Sequence, residues 1–340
     1  MAGVSTPRLA ASVSNAGGLG ALGLGASNWE SAADQVSAFR ALSDGPVHLN
    51  FFCHEEPKRD STLENAWIAR FSSEFSALKA TAPNSLKNPY TSAKDDPQLV
   101  TFVREFRPDV ISFHFGLPNP EILSGLKELD ISIITSVTNL GDADLALNGE
   151  IDGLIAQGIE AGGHRGTFDP SSDYDFSKNA LTTLELVERL RPLTSLPIVA
   201  AGGIMSGVDI SDALKAGANA VQLGSAFLLC PESGANEDYR KQIRKAHESS
   251  TVVTRAISGR AARGISNKVT TIGNKANTQD IPPYPISYDF SKQLNALALE
   301  QNESGYGAYW AGTGISNVRE LSASDLIDEL VEELAAARLR

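Results

Sequence analysis

A histidine enclosed by glycines, directly after an apolar segment, is the strongest chemical signal in the chain. His164 stands in the run Ala156–Gly166, which contains four glycines and follows the apolar segment at 153–155. Imidazole exchanges protons near neutral pH, and glycine allows positive φ and a close approach of the backbone to a flat ligand. The pattern predicts a large bound cofactor beside His164, which would act as a general base or hydrogen-bond an anionic substrate. The alternatives are a solvent-facing loop histidine and a packed one.

Two further glycine-bearing loops predict a phosphate site. Gly202 and Gly203 follow one predicted strand, and the stretch Gln222–Ser225 belongs to the end of the next. Main-chain N–H groups of these loops, with the N-terminus of the helix that Ser206 opens, would bind the phosphate. A net charge of −12 favours main-chain donors over a basic cluster. The alternative is that the glycines only allow tight turns between strands and helices.

Three side-chain amides lie near the carboxyl ends of predicted strands: Asn50, Gln157 and Gln222. An amide both donates and accepts hydrogen bonds, so the set suits the edge of a flavin or a nucleobase, although each residue could instead cap its loop. His114, between two phenylalanines, is expected to be a packed residue more than a ligand. The two cysteines show no zinc spacing with the histidines, so no metal is predicted.

Composition argues against several classes of protein. The negative net charge and a pI near 4.9 argue against a nucleic-acid partner. Two cysteines are too few for a disulfide framework, which favours a reducing, cytoplasmic location. No apolar stretch reaches the ~18 residues of a membrane-spanning helix, so no membrane association is expected.

Short apolar strands alternate with amphipathic helices, which predicts a parallel sheet with helical crossovers and hence an α/β fold. The apolar runs lack polar alternation, as is typical of strands covered on both faces. The predicted strands are Gly20–Leu24, Val47–Phe52, Val110–Phe115, Ser132–Val137, Gly153–Gln157, Pro197–Ala201 and Ala220–Phe227. The main predicted helices are Pro7–Asn15, Asp96–Phe106, Pro120–Leu129, Asn179–Leu190, Ser206–Ala216 and Ser324–Leu339.

The predicted strands number one fewer than those of a closed TIM (β/α)8 barrel. The residues Ala2–Pro7 look like a loop that leaves a strand, so we expect the first barrel strand to be truncated at the N-terminus. The alternative is a sheet that does not close. Cys53–Ala93 is expected to be an inserted cap. Residues 232–306 are expected to form a small helical lid on a barrel made of residues 1–231 and 307–340.

Several motifs, in order, resemble those of one known family, the nitronate monooxygenases, formerly called 2-nitropropane dioxygenases. The resemblance extends nearly from end to end, and the glycine–histidine run is its most specific part. The matching stretches are Met1–Pro7, Ser14–Gly20, Ser112–Gly116, Gln157–Gly166, Ala201–Ile204, Gln222–Ser225 and Ser258–Gly264. Ser225 departs from the pattern because threonine is frequent there, but a serine hydroxyl and amide can still meet a phosphate.

The resemblance implies an FMN-dependent TIM barrel. It also implies that alkyl nitronates of the propionate 3-nitronate type are oxidised with O2 to a carbonyl compound and nitrite or related nitrogen oxides. His164 would be the active-site histidine, and the residues around Met1 and Ala2 would lie against the flavin. The FMN-binding residues would be Asn50, Gln157, Gly162, Gly203, Gln222, Leu223, Gly224 and Ser225.

An alternative function on the same fold is that of an NAD(P)H-dependent flavin reductase, which would act on a quinone or an enoyl thioester. Such enzymes share the glycine-rich barrel and a comparable histidine. The stretches Ser112–Gly116 and Ser258–Gly264 favour the nitronate-oxidising enzyme. The expected partners are therefore a small-molecule nitronate and O2, with the oligomeric state, monomer or homodimer, left open.

Overall fold

The computed structural model describes residues 1–149, 151–171 and 180–339 of the chain. The described strands are β1 (Gly20–Gly23), β2 (Val47–Phe52), β3 (Val110–His114), β4 (Ser132–Val137), β5 (Gly153–Gln157), β6 (Gly163–His164), β7 (Ile198–Ala201), β8 (Ala220–Gln222), β9 (Thr251–Thr254) and β10 (Ala262–Ile265). The described α-helices are α1 (Pro7–Asn15), α2 (Trp29–Arg40), α3 (Ser61–Arg70), α4 (Ser72–Ala77), α5 (Gln98–Phe106), α6 (Pro120–Lys127), α7 (Leu140–Asn148), α8 (Thr183–Leu190), α9 (Gly207–Lys215), α10 (Glu237–Arg244), α11 (Lys268–Gly273), α12 (Ile286–Glu300) and α13 (Ala323–Arg338).

Seven strands form one parallel sheet in the order β1-β2-β3-β4-β5-β7-β8. Each strand pairs in parallel with the next, so that Leu49 stands opposite Leu22 on one side and Ile111 on the other. The sheet curls into a half-barrel with helices between its strands, which makes the fold TIM-barrel-like as the sequence predicts. Within the described residues, β1 and β8 are the two edges of this sheet.

The first residues of the chain lie between these two edge strands. A Cβ on Gly23 of β1 would come within 2.6 Å of the main-chain nitrogen of Ala2. A Cβ on Gly224, just after β8, would come within 3.4 Å of the Met1 sulfur. The absence of a side chain at both glycines therefore lets the N-terminal residues pack into the gap.

Helix starts are fixed by side-chain caps that are recognisable in the sequence. Thr6 caps α1 with its hydroxyl, and Pro7 takes the first helical position, where an N–H would have no helical partner. Ser206 and Asp209 form a capping box at α9. One such cap stabilises a helix by about 1 kcal/mol. The predicted helix Pro7–Asn15 is confirmed at both ends.

The last strand of the sheet is shorter than predicted. The sequence predicts a strand up to Phe227, but β8 ends at Gln222 and residues 225–227 form a 3-10 turn. Gly224, with φ −122° and ψ −69°, takes the chain out of the extended conformation. The predicted helix Asn179–Leu190 begins at Thr183 as α8, and its predicted first residue lies outside the described residues.

The main core fills the space inside the sheet and between the sheet and its helices. Fully buried strand residues include Leu22, Leu49, Ile111, Ile133, Leu154 and Ile198. Burying one such side chain stabilises the fold by about 1.5–3 kcal/mol. In the described part of the chain, no helix combines the length and the apolar character needed to span a membrane.

A second core joins two segments that are far apart in the sequence. Trp67 and Phe71, in the predicted cap, pack with Phe290 and Leu294 of α12. The ring centroids of Phe71 and Phe290 are 4.9 Å apart. The cap and the C-terminal part of the predicted lid therefore share one core. The division into a barrel and a lid at residues 232–306 stays a prediction.

The lid segment contains strands as well as helices, which was not expected from the sequence. β9 and β10 form an antiparallel pair, and β6 joins β10 with His164 opposite Ala262. The β-branched residues of Thr251–Thr254 carried a strand signal, whereas a two-residue strand such as β6 carries none. This small sheet attaches the His164 loop to the lid segment.

Candidate functional site

A cavity of about 640 Å³ opens at the carboxyl ends of the parallel strands. Barrel enzymes bind their ligands at this end, and the volume is within the range of cofactor pockets. The sequence-predicted site residues that line the cavity are Asn50, Gln157, Gly162, His164, Gly203, Gln222, Gly224 and Ser225. Leu223 is the exception, because its side chain packs against the main core and only its main chain remains for a ligand.

One part of the cavity surface is made of main chain, and we define the glycine wall as Gly162, Gly203, Gly224, Ser225 and Gly312. Gly203 has φ +72°, a left-handed conformation that glycine adopts without strain. A Cβ on Gly162 would lie 2.5 Å from the nitrogen of Gly312, so two loops meet there backbone to backbone. The Gly312 N–H donates to the Ser225 Oγ at 2.8 Å.

The glycine wall offers main-chain donors to a ligand. The N–H groups of Gly203 and Gly224 make no hydrogen bond with any other described residue. The N-terminus of α9 is closed, however, because Asp209 accepts from the amides of Met205 and Ser206 at 2.9 Å each. The Asp209 carboxylate therefore takes these two amides and already compensates the helix dipole, and the expectation that this helix N-terminus binds a phosphate stays a prediction. A phosphate at this wall would be bound by loop amides.

The amides of Gln157 and Asn50 hold neighbouring groups in place. Gln157 accepts from the Gly166 N–H at 2.8 Å and donates to the His164 carbonyl oxygen at 2.9 Å, which fixes the histidine loop. Asn50 donates to the Ser112 Oγ at 2.8 Å. Both amides also line the cavity, so a ligand would meet groups whose orientation is already set.

A second part of the cavity surface is made of side chains, and we define the aromatic wall as Tyr90, His164, Tyr288, Lys292 and Trp310. The centroid of the His164 ring lies 5.1 Å from that of Trp310 and 5.9 Å from that of Tyr288. Trp310 Nε1 donates to the Tyr288 hydroxyl oxygen at 3.0 Å. Because that oxygen accepts from the indole, the Tyr288 O–H is available to donate into the cavity.

His164 is an uncharged histidine at neutral pH. Burial lowers its pKa well below the usual 6.5, and the nearby His114 and Arg260 act in the same direction. Its Nε2 lies 2.9 Å from the Ser258 Oγ. A neutral imidazole can accept a proton or a hydrogen bond from a ligand, but it offers no positive charge to an anion.

His114 also lines the cavity, although the sequence predicts a packed residue. Its Nε2 donates to the carbonyl oxygen of His164 at 3.1 Å. Burial lowers the pKa of His114 to about 3, so this histidine is neutral as well. Of the two phenylalanines beside it in the sequence, Phe115 lies past the end of β3 and its ring centroid is 4.6 Å from that of His114, so the histidine is packed on one side and lines the cavity as well.

Lys292 is the one lysine or arginine among the described residues that line the cavity. Its Nζ lies 4.5 Å from the centre of the Tyr90 ring and 5.2 Å from that of Tyr288, within reach of cation–π attraction. Burial lowers the pKa of its ammonium group. Among the described lining residues, Lys292 is therefore the cationic side chain that an anionic group of a ligand would meet.

Comparison with known proteins identifies the relatives of this chain. The family model described as nitronate monooxygenase matches residues 1–333. The chain belongs to the nitronate monooxygenase family. It is 43% identical to the nitronate monooxygenase of Paraburkholderia phytofirmans over 98% of this chain and 90% of that protein. It is 42% identical to the nitronate monooxygenase of Pseudomonas aeruginosa over 98% and 94% of the two chains.

Solved structures agree with membership of the nitronate monooxygenase family. A nitroalkane oxidase from Streptomyces ansochromogenes shares 32% identity and a TM-score of 0.88, over 99% of this chain and 94% of that one. FabK from Thermotoga maritima, at 24% identity and a TM-score of 0.70 over 99% and 91% of the two chains, shows the fold alone. The resemblance seen in the motifs is confirmed, and the protein is an oxidoreductase by family.

One further segment of this nitronate monooxygenase family member lines the cavity, Gly307–Gly314. Its Tyr309 and Trp310 line the cavity with four neighbours of the same segment. Three glycines and two aromatic residues within eight positions were an available signal. Among the described residues, no three His, Cys, Asp or Glu side chains come together as a metal site would require.

Proposed function

We propose that this protein is an FMN-dependent enzyme that oxidises alkyl nitronates of the propionate 3-nitronate type with O2. The products would be a carbonyl compound and nitrite or related nitrogen oxides. One observation carries the proposal: a single cavity combines a glycine wall, in which the N–H groups of Gly203 and Gly224 have no partner among the described residues, with an aromatic wall that holds a neutral imidazole and the ammonium group of Lys292. The relatives named nitronate monooxygenase and nitroalkane oxidase support it.

The residues at the cavity fit FMN. Gly203 and Gly224 offer N–H groups to a phosphate, and a side chain at Gly162 or Gly203 would collide with neighbouring atoms at 2.5 Å and 3.1 Å. The fixed amides of Asn50 and Gln157 suit the polar edge of a flavin. FMN bound there would supply the two-electron chemistry, while the protein supplies orientation and electrostatics. Gln222, the Leu223 main chain and Ser225 complete the proposed binding residues.

His164 would act on the substrate as a neutral group. A nitronate is already a carbanion equivalent, so its oxidation needs orientation and not deprotonation by the protein. A neutral nitroalkane does need a base, and a neutral His164 could supply one. Oxidation of nitroalkanes is therefore the second candidate activity, supported by an unprotonated imidazole that lines the cavity.

Lys292 and Tyr288 would orient an anionic substrate. The Lys292 ammonium group suits the carboxylate of propionate 3-nitronate, and the available Tyr288 O–H suits an oxygen of its nitronate group. Both lie on the aromatic wall beside His164. A substrate bound in this way would be held at both of its charged ends.

The proposal also includes a cytoplasmic location and a division of the chain into a barrel and a lid. Cys53 and Cys230 are both free and buried, which agrees with the proposed cytoplasmic location. We keep the division into a barrel, residues 1–231 and 307–340, and a lid, residues 232–306, as part of the proposal. The lid would contribute Tyr288 and Lys292 to the site.

A spectrum of the purified protein followed by anaerobic mixing tests the function. We expect a yellow protein whose flavin absorbance is bleached under argon by propionate 3-nitronate, with O2 uptake and nitrite release once air is admitted. NADH serves as the parallel reagent. Bleaching by NADH with no response to the nitronate would select the flavin reductase instead. A colourless protein that cannot be reconstituted with FMN would refute the cofactor.

A further inference from the structure

We propose that Ser258 is a positioning residue that fixes the tautomer of His164, with the proton on Nε2 and the lone pair of Nδ1 facing the cavity. The inference rests on the proposed function for its purpose, but the tautomer itself can be observed without turnover. Ser258 does not line the cavity and is fully buried. It would therefore act on the substrate only through His164.

The hydrogen bonds of Ser258 leave one consistent arrangement. Its hydroxyl donates to the carbonyl oxygen of Arg260 at 3.1 Å, and the Arg260 N–H approaches the same Oγ at 3.5 Å. A serine hydroxyl has one hydrogen, which this carbonyl already takes. The Oγ can then only accept from His164 Nε2, 2.9 Å away. His164 must carry its proton on that nitrogen.

The opposite tautomer would disrupt this arrangement. With the proton on Nδ1, the bare Nε2 would need a donor, and the Ser258 O–H would have to turn away from the Arg260 carbonyl. Arg260 is buried, with 3% of its surface exposed, so water could not easily replace the lost donor. The Nε2–H tautomer avoids that loss.

The Nδ1 atom of His164 is consequently the one that a substrate meets. A neutral imidazole has one N–H, so Nδ1 keeps its lone pair. This atom makes no hydrogen bond with any described residue, and the ring lines the cavity. Around the ring stand Trp310, Tyr288 and Tyr284, with centroids at 5.1, 5.9 and 5.2 Å.

The arrangement suits proton transfer from a neutral nitroalkane. The α C–H bond breaks, its proton passes to Nδ1, its electron pair forms the C=N bond of the nitronate, and the N=O π pair moves onto the nitro oxygen. Nothing is oxidised or reduced in this step. Nε2–H keeps donating to the Ser258 Oγ while the imidazole is cationic, so Ser258 serves both protonation states without moving.

Nitrogen-15 NMR of histidine-labelled holoenzyme tests the tautomer directly. Among the five histidines of the chain, the His164 signals are identified by their loss in His164→Gln. We expect Nε2 to carry the proton in the wild type. Ser258→Ala should yield a mixture or the Nδ1–H form, and Ser258→Thr, which restores a hydroxyl, should return the wild-type signals. Ser287→Ala is the matched control, because Ser287 is equally buried and donates to the Ala256 carbonyl oxygen at 3.2 Å, without contacting His164.

Kinetics of the same variants separate base action from binding. Ser258→Ala should lower kcat/KM for nitroethane about 10-fold or more, and kcat/KM for ethyl nitronate less than about 3-fold, because only nitroethane needs a base.

Four outcomes would count against these proposals. A wild-type NMR spectrum with the proton on Nδ1 would overturn the proposed tautomer even if no variant folds. Unchanged His164 signals in Ser258→Ala would also overturn it. An enzyme that oxidises nitronate but not nitroethane would overturn the base step. Loss of nitronate oxidation itself would refute the proposed function and leave the NMR result to decide the tautomer.

Discussion

The glycine wall and the aromatic wall bind by different means. At the glycine wall, four glycines and one serine line the cavity, side chains are mostly absent, and the N–H groups of Gly203 and Gly224 have no partner among the described residues. At the aromatic wall, rings, an imidazole and an ammonium group face the cavity. A substitution in the glycine wall changes the conformation of the main chain or adds bulk, but the N–H group stays a hydrogen-bond donor. We infer that the first wall sets which cofactor binds and the second sets what reacts with it.

The largest effect is expected from a side chain added to the glycine wall. Gly203→Val should raise the FMN Kd at least about 100-fold, or about 2.7 kcal/mol, because Gly203 has φ +72° and its Cβ would lie 3.1 Å from Glu160. Titration of apoprotein with FMN measures this. Gly17→Val is the matched control, since Gly17 also has positive φ but no atom lies within 4 Å of its Cβ. Equal FMN affinity in the two variants would contradict the proposal that the glycine wall binds FMN.

Removal of the imidazole should affect the reaction and leave the cofactor bound. His164→Ala is expected to lower turnover of nitroethane, the substrate that needs a base, by about 10²- to 10⁴-fold, the usual contribution of a general acid–base group, with an unchanged flavin spectrum. Stopped-flow flavin reduction and O2 uptake measure the loss. His247→Ala, at an exposed histidine, should behave like the wild type. Wild-type rates in His164→Ala would show that His164 does not act in the reaction.

Loss of the Lys292 ammonium group should change substrate preference. Lys292→Met is expected to lower kcat/KM for propionate 3-nitronate about 10- to 100-fold, since a hydrogen bond to a charged group contributes about 1.5–3 kcal/mol. Ethyl nitronate, which has no carboxylate, should lose less than about 3-fold. Lys275→Met, at an exposed lysine, is the control. If both substrates lose equally, Lys292 supports the structure of the wall and does not select the substrate.

The smallest effect is expected from pH. A lowered pKa means that His164 takes up its proton only in more acidic solution than an ordinary histidine does. The rate of flavin reduction by the nitronate should therefore change less than about 2-fold from pH 8 to pH 6. An ordinary pKa near 6.5 would protonate about three quarters of the histidine at pH 6. Anaerobic stopped-flow measurements that show a midpoint near 6.5 would contradict the burial of this group.

The residues of the glycine wall could be recognised from the sequence more readily than those of the aromatic wall, for a physical reason. Gly203 and Gly224 were predicted because a loop that exposes its amides needs glycine at fixed places beside a strand. Lys292 was missed, because a lysine in a helix of the lid segment has no local feature that ties it to the barrel. Leu223 was predicted as a binding residue, although its side chain faces the main core.

The sequence alone determined the alternating strands and helices, the capped helix starts, the glycine loops and the place of His164 among the glycines that follow a strand. These features depend on neighbours within a few positions, where propensity, capping and backbone freedom act. Only the tertiary structure decided that Ser258, Tyr288 and Trp310 stand around that histidine, and that Lys292 lines the same cavity. Such contacts arise when segments separated by a hundred residues or so pack together, and no local pattern encodes the meeting.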